Sequence, residues 1–431
     1  MKKFLLIVLL SLPITAFSGG PIAISGPNGN TPVRYASPTI TLNFDIGTLG
    51  NRSNAETDAL VLQSIDQWNA VSTATINLLQ GADLATDIDI TNYLNLVPSG
   101  EPNDPSIKDG LNPVIYDTDG QIIDALLGVG VGKDIIGFAG SIYFLGSSTF
   151  TEGYAVLNGD TNFNLSNNTI ITLITHEIGH MIGLDHSQLD INNTESECLN
   201  SHTGYPIMYP YICRNTSTLH ADDVVAITAL YPATNLEATY GQITGFFINS
   251  SGNPILGANL WAKNTITGMG YSVVSDYLKQ NTGFFSILLP AGNYTLHANA
   301  INASFFDLSS VGPYANSATD ISFISPLSGI VNFEGNTPGS TKSLPVTTGK
   351  ATEVNFVNNG SGTFTTDKSI FIAGPPEAGS DNSGTLSPAI FFVMLIVYYF
   401  RKTHKNRGAI YDYHSSRSTK CMFNNLTRFR W

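Results

Sequence analysis

The chain has 431 residues, more than one ordinary hydrophobic core accommodates, and this length predicts two or three domains. Apolar residues make up 42% of the sequence, which is normal for a folded protein. The formal net charge is −13, and because contact with phosphate groups requires a basic face, this acidity argues against nucleic acid as a partner.

The first 18 residues have the build of a secretory signal peptide. Two lysines precede an apolar run that starts at Phe4, and small residues follow at Ala16 and Ser18. We predict cleavage after Ser18. An uncleaved membrane anchor is the alternative, although the run is short for a membrane span.

Strands and helices are then predicted in an order typical of an α+β domain. Residues 37–44 alternate like a strand with one exposed face. Residues 54–71 place apolar side chains at helical spacing, with Asn54 as the cap. The polar, Asp-rich stretch at 83–111 is predicted to be a long surface loop. Further short strands are predicted at 112–116, 135–145 and 153–157.

Residues 176–186 read HEIGHMIGLDH and contain three of the eight histidines of the chain. The helix that carries them is predicted to stop at Gly183, and its N-cap candidates are Asn167, Asn168 and Thr169. Residues four apart stack on one helix face, so His176 and His180 can direct their imidazoles at one point.

Gly183 and His186 complete this pattern. Glycine has no Cβ and can turn the chain out of the helix in a left-handed conformation, after which His186 can return beneath the metal. A catalytic zinc takes three protein ligands and leaves a position for water, from which Glu177 can take a proton. We therefore predict one Zn²⁺, a zinc-activated water and a glutamate general base. The alternatives are an amphipathic helix with incidental histidines and a metal site without catalysis.

A last helix is predicted at 220–231, with Asp222 and Asp223 in the first turn, where carboxylates suit the helix dipole. Residues 233–239 are then typical of a linker. From Tyr240 the pattern changes to short β runs separated by Gly, Pro and Asn, which predicts an all-β sandwich over residues 240–358.

The C-terminal part favours attachment to a membrane. Residues 359–385 are rich in Gly, Ser, Thr and Pro and predict a flexible stalk. The apolar stretch 386–400 is short, since a span needs about 20 residues, but the basic tail 401–431 follows it directly. We predict a single transmembrane or sorting segment and a basic cytoplasmic tail, which implies an exported protein at the bacterial cell envelope or outside the cell. A buried core element is the alternative, and cleavage of the segment stays open.

Two of the three cysteines lie in the part predicted to be exported. In an oxidising compartment Cys198 and Cys213 are candidates for a disulfide. Two separate thiols are the alternative.

The motif HEIGHMIGLDHS, together with YPIMYP at 205–210, resembles the metzincin metalloproteases. The ending His186–Ser187 resembles the matrixins in particular, and the likeness extends over residues 34–232. It implies an α+β zincin/metzincin catalytic domain, placed at residues 19–232, that cleaves protein or peptide substrates. It also implies that Met208 lies in a tight turn beneath the zinc-binding histidines.

The same resemblance implies parts of a substrate cleft. Residues 152–159 would form its upper edge strand, to which an extended substrate adds itself as a further strand. The segment Pro210, Tyr211 and Ile212 would wall the S1′ pocket. No cysteine-switch motif occurs, so latency through a thiolate on zinc is not expected.

Asp117, Asp119 and Asp124 cluster around Gly120. Hard carboxylate oxygens at this spacing suit Ca²⁺, and matrixin-like proteases often carry calcium. A candidate calcium site and an ordinary Asp-Gly turn are both compatible with the pattern.

The β runs after Tyr240, among them GQITG, NPILGANLWA and TGFFSILLPAGNYTL, resemble the carboxypeptidase regulatory-like (transthyretin-like) sandwich. Their glycines and prolines shape turns, and no catalytic group stands out. Trp261 and Tyr271 are candidates for a binding patch, with burial in the sandwich as the alternative.

The sequence thus predicts a secreted or envelope-anchored zinc endopeptidase. The alternative is a non-enzymatic cell-surface adhesin whose zinc site is structural or vestigial. The presence of Glu177 beside the first histidine favours the enzyme.

Overall fold

The computed structural model contains an α+β region followed by two further β-sheets. It describes residues 20–26, 30–97, 109–144, 146–187, 189, 204–210, 214, 216–300 and 327–370. The predicted signal peptide (1–18), apolar segment (386–400) and basic tail (401–431) lie outside these residues. Within the described ranges, no helix is both long enough and apolar enough to cross a membrane.

The α+β region contains four α-helices and eight strands in its described part. The helices are α1 (Asn54–Asn69), α2 (Gln121–Leu127), α3 (Asn167–Met181) and α4 (Ala221–Leu230). The strands are β1 (Ile24–Ser25), β2 (Thr31–Pro32), β3 (Arg34–Tyr35), β4 (Thr39–Phe44), β5 (Asn77–Gln80), β6 (Pro113–Asp117), β7 (Gly137–Tyr143) and β8 (Thr149–Asn158).

Six of these strands form one sheet in the order β3-β8-β6-β4-β5, with β7 added along β8. Every pairing is parallel except that of β7 with β8. Ala155 of β8 pairs with Val114 of β6 on one side and with Ala139 of β7 on the other. The prediction that 152–159 is an edge strand was therefore wrong. The hairpin places β8 inside the sheet and β7 outermost.

The segment predicted as a polar surface loop contributes a second, smaller core. Leu84, Ile88 and Tyr93 are buried with side chains of β6 and α2. The Asp45 carboxylate holds this segment in place, because it accepts hydrogen bonds from the backbone N–H of Ile88 (3.1 Å) and of Tyr116 (3.0 Å). Scattered apolar residues in a polar stretch have no period, so their burial was not predictable from pattern alone.

Two helices have their N-cap one residue before the first residue that was predicted as a cap. Ser53 precedes α1, and its backbone N–H donates to the Glu56 carboxylate (2.9 Å), as in a capping box. Ser166 precedes α3, and its hydroxyl accepts from the Thr169 N–H (3.2 Å). In both cases the asparagine predicted as the cap is the first helical residue.

Helix α3 is enclosed on all sides and packs against α1. Its residues from Ile170 to Met181 are buried, as expected for a helix that crosses a core. The Trp68 indole of α1 is completely buried and donates a hydrogen bond to the Thr175 carbonyl (3.0 Å). The Ser64 hydroxyl donates to the Ile171 carbonyl (3.2 Å). These contacts fix the rotation of α3 about its axis.

Nine strands form the two C-terminal sheets. They are β9 (Tyr240–Ile248), β10 (Asn259–Asn264), β11 (Gly270–Val274), β12 (Phe284–Pro290), β13 (Gly292–Asn299), β14 (Val331–Asn332), β15 (Ser343–Val346), β16 (Lys350–Val357) and β17 (Gly362–Ser369). One sheet has the order β11-β10-β13-β14, with β15 on β13, and the other has the order β12-β9-β16-β17.

The ends of this β region differ from the prediction. Strand β17 pairs antiparallel with β16, so residues 362–369, predicted to begin a flexible stalk, continue the sheet. Their polar side chains follow from their position on an outer strand with much exposed surface. In the predicted linker 233–239, the Leu236 side chain is buried in the core. The remaining stalk residues, 371–385, lie outside the described chain.

Replacing Trp68 by phenylalanine tests how α1 supports α3. Trp68→Phe removes the indole donor and leaves the buried Thr175 carbonyl without that hydrogen bond, which costs about 1–3 kcal/mol of unfolding free energy. Urea denaturation measures the change. Trp261→Phe, at a partly exposed position in β10, is the control and is expected to cost less. Equal losses in the two variants would contradict this role of Trp68.

Candidate metal centre

The three histidines of the motif meet at one point. Helix α3 presents His176 and His180 on one face, and their Nε2 atoms lie 2.9 Å apart. The His186 ring centroid lies 5.2 Å from that of His176 and 4.7 Å from that of His180. One nitrogen from each of the three rings lies within 4.8 Å of the others. Among the described residues, this is the one group of three or more His, Cys, Asp or Glu side chains arranged to hold a metal ion.

The chain reversal between the second and third histidines depends on Gly183. Its φ of +108° is in the left-handed region that side chains disfavour. A Cβ at this position would also lie 2.8 Å from Cε2 of Phe150. The reversal brings the Leu184 carbonyl back to the His180 Nδ1 (2.8 Å), and the chain then reaches His186. The predicted role of this glycine is thus consistent with the geometry.

Backbone carbonyls fix the protonation of two imidazoles. The His176 Nδ1 lies 2.7 Å from the Ile207 carbonyl oxygen, and the His180 Nδ1 lies 2.8 Å from that of Leu184. A carbonyl only accepts, so each Nδ1 carries the proton and each Nε2 keeps its lone pair. The two facing Nε2 atoms are then both acceptors, and a cation between them is the arrangement that satisfies both.

Burial keeps these rings neutral. It lowers the pKa of His176 well below the ordinary value, and the neighbouring His180 and His186 act in the same direction. Burial likewise lowers the pKa of His180 to about 4. Neutral imidazoles at physiological pH are the form that binds Zn²⁺, so the donor set fits this metal.

Glu177 supplies a carboxylate beside the first histidine. Its side chain is completely buried, and within the described chain neither carboxylate oxygen has a hydrogen-bond partner. One oxygen lies 3.1 Å from where a Cβ on Gly137 of β7 would stand. Burial raises the pKa of this carboxyl well above its ordinary value, whereas a dication on the histidines would favour the charged form. A buried carboxylate without hydrogen bonds lowers the stability of the fold. Such groups are typical of catalytic sites.

Met208 lies beneath the helix that carries the first two ligands. A Cβ on Gly179 would lie 2.3 Å from the Met208 sulfur, so only glycine allows this approach. The Met208 carbonyl accepts from the Ser187 N–H (2.8 Å), next to the third histidine. Met208 thus contacts both the helix that carries His176 and His180 and the segment that follows His186.

Asp223 holds the turn that contains Met208. Its carboxylate accepts from the backbone N–H groups of Ile207 (2.8 Å), Met208 (3.0 Å) and His220 (2.8 Å). Burial raises the pKa of this carboxyl, and these N–H donors act in the opposite direction. The sequence indicated only a helix-dipole role for Asp223, because a contact across 15 residues leaves no local pattern.

The candidate calcium ligands are not brought together. Asp117 accepts from the Ile123 N–H (2.9 Å), and Asp119 from that of Gln121 (3.3 Å). Asp124 accepts from the N–H groups of Gly130 (3.0 Å) and Gly132 (2.6 Å). Asp117 and Asp119 thus serve the turn around Gly120 and the start of α2, whereas Asp124 serves the loop after α2. The calcium site stays a prediction.

Of the residues predicted to form the S1′ wall and the disulfide, the structure describes Pro210. Pro210 is buried directly after the Met208 turn. Tyr211, Ile212, Cys198 and Cys213 lie outside the described residues, so the rest of the wall and the disulfide stay predictions. In the sandwich, Tyr271 is buried and Trp261 is partly buried, stacked on His297 at 4.0 Å between ring centroids.

Comparison with known protein families gives a match to part of the chain. The sequence model of the Matrixin family matches residues 123–232, a range that contains the three histidines, Glu177 and Met208. No curated protein matches the chain. Among solved structures, 5-hydroxyisourate hydrolase of Klebsiella pneumoniae is similar over 30% of this chain and 92% of its own, with 13% identity and a TM-score of 0.15.

Removal of one imidazole tests the metal centre directly. We expect the purified chain to bind one Zn²⁺ and His186→Ala to bind it at least about 100-fold more weakly, because two nitrogens remain. Competition with a chromophoric chelator measures the affinity. His297→Ala is the control, since His297 is also a buried, hydrogen-bonded histidine but lies in the sandwich. Equal affinities in the two variants would refute the assignment.

A second test separates support of the metal centre from support of the fold. Asp223→Ala and Asp276→Ala each remove a buried carboxylate that accepts three backbone N–H groups. Both should lower the unfolding free energy by about 2–4 kcal/mol, since buried donors lose their acceptor. Only Asp223→Ala should also weaken Zn²⁺ binding, by about 10-fold or more. Denaturation curves and the chelator titration decide between these outcomes.

Proposed function

We propose that this chain is a zinc-dependent endopeptidase, secreted or anchored at the cell envelope, that hydrolyses peptide bonds with Glu177 as general base. The matrixin match over residues 123–232 and the three-histidine cluster support a zinc metalloprotease. The observation that carries the catalytic part is the buried Glu177 carboxylate, which directly follows a metal-binding histidine and has no hydrogen-bond partner in the described chain.

When bound, Zn²⁺ polarises the scissile carbonyl and lowers the pKa of a coordinated water to about 7. The protein's own groups perform the remaining tasks. His176 and His180 stay neutral and oriented, because their Nδ1 protons are donated to the Ile207 and Leu184 carbonyls. Glu177 accepts the proton of the attacking water and passes it to the leaving amine.

The candidate catalytic and metal-binding side chains lie inside the fold. Glu177, His176, His180 and His186 have no exposed surface. Gly137 of β7 adjoins the Glu177 carboxylate, so we expect substrates to approach from the side of this outermost strand.

Export and anchoring are proposed from the sequence. The Lys-led apolar N-terminus supports secretion, and the apolar stretch 386–400 before a basic tail supports attachment to the envelope. Mass spectrometry of both termini of the native protein tests these two points. Intact residues 1–18 together with recovery in the cytosolic fraction would refute export.

Replacing the glutamate separates metal binding from catalysis. Glu177→Gln keeps the shape of the side chain but removes its basicity, so cleavage of a broad peptide library should fall about 10²–10⁴-fold while one Zn²⁺ remains bound. Glu353→Gln is the control, because the same change there removes only a surface ion pair with Lys368 (3.8 Å).

The wild-type enzyme should lose activity in a chelator and regain it with added Zn²⁺. Folded, zinc-loaded wild type that cleaves nothing, or cleavage that persists in the chelator, would contradict the proposal. The first of these results would favour the non-enzymatic adhesin.

A further inference from the structure

The segment after the third histidine is held from two directions. On one side, the Ser187 N–H donates to the Met208 carbonyl (2.8 Å), within the α+β region. On the other side, the Ser187 hydroxyl donates to the Asp222 carboxylate (2.5 Å). His186 lies beyond the end of α3 and has no helix to fix it, so its position depends on such contacts.

Asp222 connects this segment to the β-sandwich. One carboxylate oxygen accepts a hydrogen bond from the Ser187 hydroxyl, and the other accepts one from the backbone N–H of Ser272 in β11 (2.7 Å). The hydroxyls of Ser187 and Ser272 lie 3.3 Å apart. All three side chains are buried, with at most 2% of their surface exposed. A buried charge-assisted link of this kind is stronger and more directional than a surface contact.

Apolar packing of Leu189, two residues after Ser187, also connects this segment to β11. Leu189 is buried, and a Cβ on Gly270 of β11 would lie 2.8 Å from its Cδ1 and 3.3 Å from its Cδ2. Gly270 does not have a positive φ, so it is required here for space and not for backbone conformation. The sandwich therefore presents a flat site that fits Leu189.

We propose that strand β11 of the β-sandwich is part of the metal centre, because it positions Ser187 and Leu189 and thereby the ligand His186. The inference rests on the proposed zinc site and adds a role for the second domain, which is to set the affinity of the first domain for its metal. Gly270, Ser272 and Asp222 act as positioning residues. They hold the segment that carries a ligand, as supports around metal sites commonly do.

To test this proposal, a larger side chain is placed beside Leu189 in the full-length chain. Gly270→Val forces Leu189 away from β11, and we expect Zn²⁺ affinity to fall about 10–100-fold. The matched control is Gly329→Val, the same change in the same domain, where a Cβ has no atom within 4 Å. Competition with a chromophoric chelator gives the affinity. The visible absorption of the Co²⁺-substituted protein reports ligand geometry, and unfolding of the metal-free protein reports the stability of the fold.

A second substitution tests the mechanism. Adding Leu189→Ala to Gly270→Val makes room for the new side chain and should recover part of the affinity, a coupling that general destabilisation would not produce. If Gly270→Val does not fold, Gly270→Ala adds a single methyl 2.8 Å from Leu189 and should weaken binding severalfold.

The outcomes separate this inference from the proposed function. Unchanged Zn²⁺ affinity and an unchanged Co²⁺ spectrum in folded Gly270→Val, or in Gly270→Ala if that variant is the one that folds, would overturn the role of β11 alone. A wild-type chain that binds no Zn²⁺ would overturn the zinc site and this inference together.

Discussion

The cluster of three histidines depends above all on two hydrogen bonds from imidazole Nδ1 atoms to backbone carbonyls. They place the protons of His176 and His180 away from each other and leave two lone pairs facing across 2.9 Å. Two lone pairs at this distance repel each other, and a cation between them would remove the repulsion. The surrounding structure has to hold this arrangement at some cost in stability.

Residues from separate parts of the chain hold the three histidines in position. Trp68 fixes the rotation of α3 from one side. Met208 fits beneath the same helix because Gly179 has no side chain. Asp223 then fixes the Met208 turn through three backbone N–H groups. The adjacent residue Asp222 accepts hydrogen bonds from the Ser187 hydroxyl, next to His186, and from the Ser272 N–H of strand β11 in the β-sandwich.

This arrangement changes how the second domain is understood. A sandwich without catalytic groups is usually regarded as a spacer or a binding module. Here its strand β11 meets the α+β region through buried polar contacts and close packing around Gly270. Residues 362–369 also extend its second sheet beyond the predicted boundary. The β-sandwich thus extends past its predicted end at residue 358. Through Asp222 it also contacts Ser187, which follows His186.

The sequence by itself determined that His176, His180 and His186 meet, because a four-residue spacing on a helix and a glycine before the third histidine act locally. The strands at 39–44 and 113–117 and the helices α1, α3 and α4 were predictable for the same reason, since hydrophobic period and capping residues lie within a few positions. Only the tertiary structure decided that β7 and not β8 lies outermost, that Asp117 and Asp124 accept from backbone N–H groups on either side of α2, and that Asp222 joins Ser272 of β11 to Ser187. Those outcomes depend on contacts between residues far apart in the chain, and such contacts leave no period or spacing in the sequence.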